Sequence, residues 1–185
     1  MEMRRVVTSA LLMVTALVCQ ASDIFLDFDC TSQPPMEKGI TLAPNRLTVK
    51  QDGKTCTFEH TCKALYIAKG FTGLQLGATD SDLRNSPYLF LTTPLKGISF
   101  IEITVRAKFP GGWLEAGSTS DDSPMTDFRL SGTDKLRTNM AEQYETYRFV
   151  PADGRPASGN AMIRVTSTVS GFFVRIQSIR IHCKD

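Results

Sequence analysis

Cys56, His60 and Cys62 stand within seven residues of one another, in the stretch CTFEHTC. Thiolate and imidazole are ligands that zinc favours, and the IHC near the C-terminus brings His182 and Cys183 as further candidates. Two close cysteines could instead form a redox pair or part of a disulfide framework. No CxxC spacing occurs, which argues against both zinc and redox use. The compartment decides the rest. MEMRR supplies Arg4 and Arg5, an uncharged apolar run follows from Val6 to Val18, and Ala21 is the small residue before a cut. That order describes a secretory leader over residues 1–21. Its apolar run is shorter than the roughly 20 residues a spanning helix needs, and no later stretch is long enough. Cys19 raises lipidation as another fate, although Val18 is a poor neighbour for it. The chain is therefore expected outside the cytoplasm: secreted, periplasmic or on the cell surface.

Export favours oxidation over metal ligation. Setting aside Cys19 leaves Cys30, Cys56, Cys62 and Cys183, an even number, and two disulfides are expected. Three pairings are open. The preferred one joins Cys56 to Cys62 in a small loop and Cys30 to Cys183 across the chain ends. The second bridge would constrain the unfolded chain most, by about 4–5 kcal/mol in the chain-entropy account.

Other residues could bind or catalyse. Glu102, Glu115, Glu142 and Glu145 could pair for glycoside hydrolysis, but no feature selects a pair. No GxSxG, HExxH or phosphate-loop motif occurs, so no enzyme is expected; a glycan-active hydrolase is the third reading. Binding fits better. Trp113 follows FPGG just past a tight turn, where it could be a stacking platform or a plug for the core. Tyr88, Tyr144 and Tyr147 are ring candidates of the same kind. Arg106, with Arg129, Arg148 and Arg175, could form a polar row if the strands bring them to one face. Ring faces give sugars apolar contact while polar groups orient hydroxyls. The partner is expected to be a glycan or another cell-surface ligand; an adhesin-like module binding an envelope protein is the alternative. The full chain carries only +2, so no footprint for nucleic acid is present.

The elements that must hold these residues read as strands. In SFIEITVRAKF, Ile101, Ile103, Val105, Ala107 and Phe109 alternate with Glu102, Thr104, Arg106 and Lys108. One dry face and one wet face mark an antiparallel sheet. DIFLDFD alternates likewise through Ile24, Leu26 and Phe28. NRLTVKQDGKTCTFEH predicts a hairpin turning at Asp52-Gly53. In GFFVRIQSIRIHC the inward phase shifts between Ile176 and Ile179, which predicts a β-bulge at Gln177-Ser178. DKLRTNMAEQYETY is allowed one helical turn at most. Short strands punctuated by Gly and Pro turns predict an all-β sandwich or barrel. No linker or repeat divides residues 22–185, so they are expected to form a single domain.

The stretch from Gly73 to Phe109 resembles bacterial secreted jelly-roll modules of the galactose-binding-like kind, which include cleaved-adhesin domains and carbohydrate-binding modules. Tyr88, Leu89, Thr92, Thr93 and Pro94 match one motif, and residues 99–109 match the long alternating strand. Phe172, Phe173, Ile176, Ile179 and Ile181 match the closing strand. The resemblance implies an antiparallel β-sandwich of jelly-roll topology. Such modules often hold a structural calcium through acidic residues in the closing motif, where this chain has Gln177 and Ser178. The remaining calcium candidates are Asp23, Asp27 and Asp29, and Asp121, Asp122 and Asp127. No other cofactor is expected.

Overall fold

A computed structural model describes residues 23–62, 64–77, 88–119 and 128–184. The leader, Cys19 and Asp121, Asp122 and Asp127 lie outside the described residues. Among the described residues fourteen strands occur in order: β1 (Ile24–Asp27), β2 (Ile40–Ala43), β3 (Arg46–Gln51), β4 (Lys54–His60), β5 (Leu65–Tyr66), β6 (Leu74–Leu76) and β7 (Tyr88–Leu91). They continue as β8 (Leu95–Ala107), β9 (Gly112–Thr119), β10 (Phe128–Leu130), β11 (Thr138–Asn139), β12 (Glu145–Pro151), β13 (Ala157–Ser167) and β14 (Val174–Cys183). No helix occurs among the described residues, and the stretch allowed one turn carries β11 and bends instead.

Every pairing among the described residues is antiparallel, in two layers. The first sheet runs β6-β14-β8-β12, with β1 continuing the β6 edge of β14, β5 outside β6 and β10 outside β12. The second runs β4-β7-β13-β9-β11, extended beyond β4 by β3 and β2. The central strands β6, β8, β12 and β14 lie in one layer, and β7, β9, β11 and β13 in the other. This strand order, closed on itself by two Greek keys, is the jelly roll.

The alternation seen in sequence sets which face is dry. Ile101, Ile103, Val105 and Ala107 of β8 are buried, as are Ile24, Leu26 and Phe28 of the first strand and its extension. From the other layer Leu47, Val49, Phe58, Leu89, Leu91, Leu114, Ile163 and Val165 meet them in one core. At the β3–β4 turn Asp52 and Gly53 both take positive φ, 50° and 73°, as a tight hairpin of this type requires. On β14 the pairing with β8 shifts between Ile176 and Ser178, leaving Gln177 as the extra residue of a bulge. That shift keeps both Ile176 and Ile179 in the core.

One strand belongs to both layers. The start of β13 pairs with β8 through Ala157 and Gly159, with a register shift between them, and residues 160–167 pair with β9.

The structure does not show the expected disulfides, and Cys30, Cys56, Cys62 and Cys183 are all buried. Geometry forbids the preferred pairing. Cys56 lies in β4 and Cys62 follows two residues past its end, so the extended chain separates them by about 20 Å. A disulfide needs Cα atoms within about 7 Å. Likewise Ile24 pairs with Ile181, so Cys183 lies beyond the start of β1, whereas Cys30 lies beyond its end. About eight extended residues, on the order of 27 Å, part them. All four side chains lie within the apolar core.

Candidate functional site

Strand alternation sends two of the sequence candidates to one surface. On β7, Leu89 and Leu91 point inward, so Tyr88 and Phe90 point out. On β13, Ile163 and Val165 are inward and Met162, Arg164 and Thr166 outward. On β9, Leu114 and Ala116 are inward and Trp113 and Glu115 outward. Trp113 is thus no core plug; it sits half-buried on the outer face of the second sheet. Register then places Tyr88, Arg164 and Glu115 side by side across three strands. Phe90, Met162 and Gly117 form the next row, and Trp113 pairs with Thr166 on the other side. Two strand spacings and two residues separate Tyr88 from Trp113, about 12 Å.

Polar groups lie between and beside the rings. Arg164 Nε donates to Glu115 Oε1, and the carboxylate's side chain is only 14% exposed. Arg137 lays its guanidinium over the Trp113 ring, 4.9 Å from the centroid. An open concavity of about 490 Å³ lies there, lined by Trp113, Arg137, Thr138 and Asn139 among others. A second, of about 660 Å³, lies at the Tyr88 end against Pro44, Asn45, Arg46, Glu59, His60 and Thr61. Asn45 takes a positive φ of 58° at the β2–β3 turn that walls this concavity.

His60 is the unexpected member. It is 7% exposed, and neither ring nitrogen has a hydrogen-bond partner. Main-chain groups of Cys62 and Ala43 lie close enough to favour the charged ring slightly, but burial outweighs them and pushes its pKa down. The ring is neutral at pH 7, with one donor and one acceptor beside the concavity.

The remaining candidates lie elsewhere. Arg106 and Tyr144 belong to the outer side of the first sheet, where Arg106 stacks 5.5 Å from the Tyr144 ring. Tyr147 packs against the core, and its hydroxyl accepts from Ala141 N–H and donates to Glu145. Its role is to hold the β12 entry. The three aspartates are engaged separately. Asp23 accepts from Arg180 at 3.0 Å and also meets His182 Nδ1. Asp27 takes Lys38 Nζ at 2.6 Å, and Asp29 takes the Thr31 N–H at 3.0 Å. Among the described residues no three His, Cys, Asp or Glu side chains gather as a metal set. Glu102 and Glu115 lie on opposite layers, bound by Arg148 and Arg164.

Arg164, Met162 and Phe90 were not among the sequence candidates, because which strands become neighbours was not legible. His60 had no signal beyond its place in CTFEHTC.

Fold and site together describe a jelly-roll sandwich with a ring-bearing open face. No family model and no curated protein matches the chain. Among solved structures, a family 29 carbohydrate-binding module from Piromyces equi aligns over 88% of this chain and 92% of its own, at 12% identity and TM-score 0.49. The xylan-binding module CBM15 aligns over 89% and 98%, at 8% identity and TM-score 0.42. A family two carbohydrate esterase from Cellvibrio japonicus aligns over 89% of this chain but 34% of its own, at 12% identity and TM-score 0.39. Likeness at this level carries no argument about fold or ligand.

Proposed function

We propose that the chain is an exported, non-catalytic module that binds glycan across the outer face of the second sheet, between Tyr88 and Trp113. One observation carries this reading: two outward rings about 12 Å apart bracket a hydrogen-bonded Arg164–Glu115 pair, each ring beside an open concavity. Rings supply apolar contact to sugar faces, and the fixed charged pair supplies donors and acceptors to hydroxyls. Export is supported by the leader-like N-terminus, and residues 22–185 are the proposed single domain.

Affinity electrophoresis against a panel of soluble polysaccharides tests it. At least one polymer is expected to retard the protein, with Trp113→Ala and Tyr88→Ala each weakening retention about tenfold, on the order of 1.4 kcal/mol. Both side chains are partly exposed, so the variants are expected to remain folded. No retention by any polymer, with Trp113→Ala indistinguishable from the parent, overturns the reading.

A further inference from the structure

The outer face of the first sheet carries a charge arrangement that packing alone does not require. Arg106 of β8 stands directly opposite Arg175 of β14. Arg175 stands opposite Gln75 of β6, which stands opposite Tyr66 of β5. Tyr66, Gln75, Arg175 and Arg106 therefore form one row across four neighbouring strands, about 14 Å long. Like charges directly opposite one another destabilise a sheet. Lys108, two residues beyond Arg106 on the same side, adds a third cation. Among the described residues none of the three has an ion-pair partner. Arg175 donates to Gln75 Oε1 at 3.2 Å, where an acid would have neutralised it. Asp29, whose charge reaches Tyr144, caps Thr31 instead.

Another row on the same face, beyond the row of Thr104, shows the ordinary solution. Glu102 stands in register between Arg148 and Arg180, and takes Arg148 at 2.6 Å. Arg180 reaches Asp23 at 3.0 Å. One row is neutralised; the other is left cationic and clad in rings. The Arg175 guanidinium lies 4.8 Å from the Phe71 ring and 5.7 Å from Phe173. Lys108 Nζ lies 5.2 Å from Phe173. Tyr144 is pinned beside Arg106 by its hydroxyl, which donates to the Thr72 carbonyl. Tyr66 is 49% exposed at the far end of the row.

We propose that this row, with Lys108, is a binding site for an acidic polysaccharide. Guanidinium groups present forked donors that match carboxylate and sulfate. The rings alongside them offer faces to the sugars that carry those groups. A straight row over four strands suits an extended polymer rather than a single small anion. The full chain's charge of +2 lacks the broad basic surface that nucleic acid demands. The site is on the opposite layer from Trp113 and stands independently of the glycan reading of that face.

The test is retention of the full chain at low ionic strength by polygalacturonate and by dextran sulfate, with neutral dextran as control. Binding to at least one acidic polymer is expected, weakening as salt is raised; the stronger of the two separates carboxylate from sulfate recognition. Arg106→Gln and Arg175→Gln are each expected to weaken it about tenfold or more, with Tm equal to or above that of the parent, because a like-charge contact is relieved. Trp113→Ala is expected to leave it unchanged. The proposal is overturned if neither acidic polymer is bound, or if both arginine variants bind as the parent does. It is equally overturned if single-stranded DNA is retained as strongly as polygalacturonate.

Discussion

His60 shows how one side chain couples the site to pH. The folded state depresses its pKa, so near and below the ordinary value of about 6.5 the unfolded chain binds a proton that the native chain refuses. Stability from this residue is complete above that range and declines as pH falls through it towards the folded value. Urea unfolding midpoints measured through this range are expected to drop on acidification, and His60→Leu is expected to flatten that part of the profile. An unchanged slope in the variant would assign the drop to other groups. Cys62 behaves oppositely: burial pushes its thiol up to about 12, so it stays protonated and a poor nucleophile in the native state. At this scale the sequence was a partial guide. Strand alternation fixes that Trp113 and Tyr88 point outward once β9 and β7 are recognised. It could not show that Tyr147 turns inward, because β12 begins with exposed Glu145 and Thr146 that mask the phase.

At the scale of elements, β8 and β14 were legible because they are long and amphipathic, and the bulge was legible because a single extra residue displaces every later apolar position. The strands β2 and β11 were not, since two to four residues give too few alternations to read. A single close approach tests the packing between layers. A Cβ added at Gly112, which opens β9, would meet the ring of wholly buried Phe172 at 2.0 Å. Gly112→Ala is therefore expected to cost about 1–3 kcal/mol through forced repacking, read as a lower denaturation midpoint. Adding Phe172→Leu should return part of that loss, so that the double variant is more stable than the sum of the singles implies. Strict additivity would mean that the two sites do not meet.

For the whole molecule, the all-β class followed from turn punctuation and two-residue periodicity, whereas the cysteine framework did not. The hairpin predicted over NRLTVKQDGKTCTFEH already places Cys56 in an extended strand that carries Cys62 away from it, and the small-loop pairing conflicts with that strand. Peptide mapping under non-reducing conditions is accordingly expected to return neither a Cys56–Cys62 nor a Cys30–Cys183 crosslink; either one, in folded material, would contradict the strand register. The dual membership of β13 reaches furthest. Its first residues are hydrogen-bonded to one layer and its remainder to the other, so the polypeptide itself is sewn through the sandwich. A tug on one broad surface, such as an anchored polymer would exert, is handed to the opposite surface along covalent bonds rather than through greasy contacts alone. Sliding the layers past each other would first have to rip that seam.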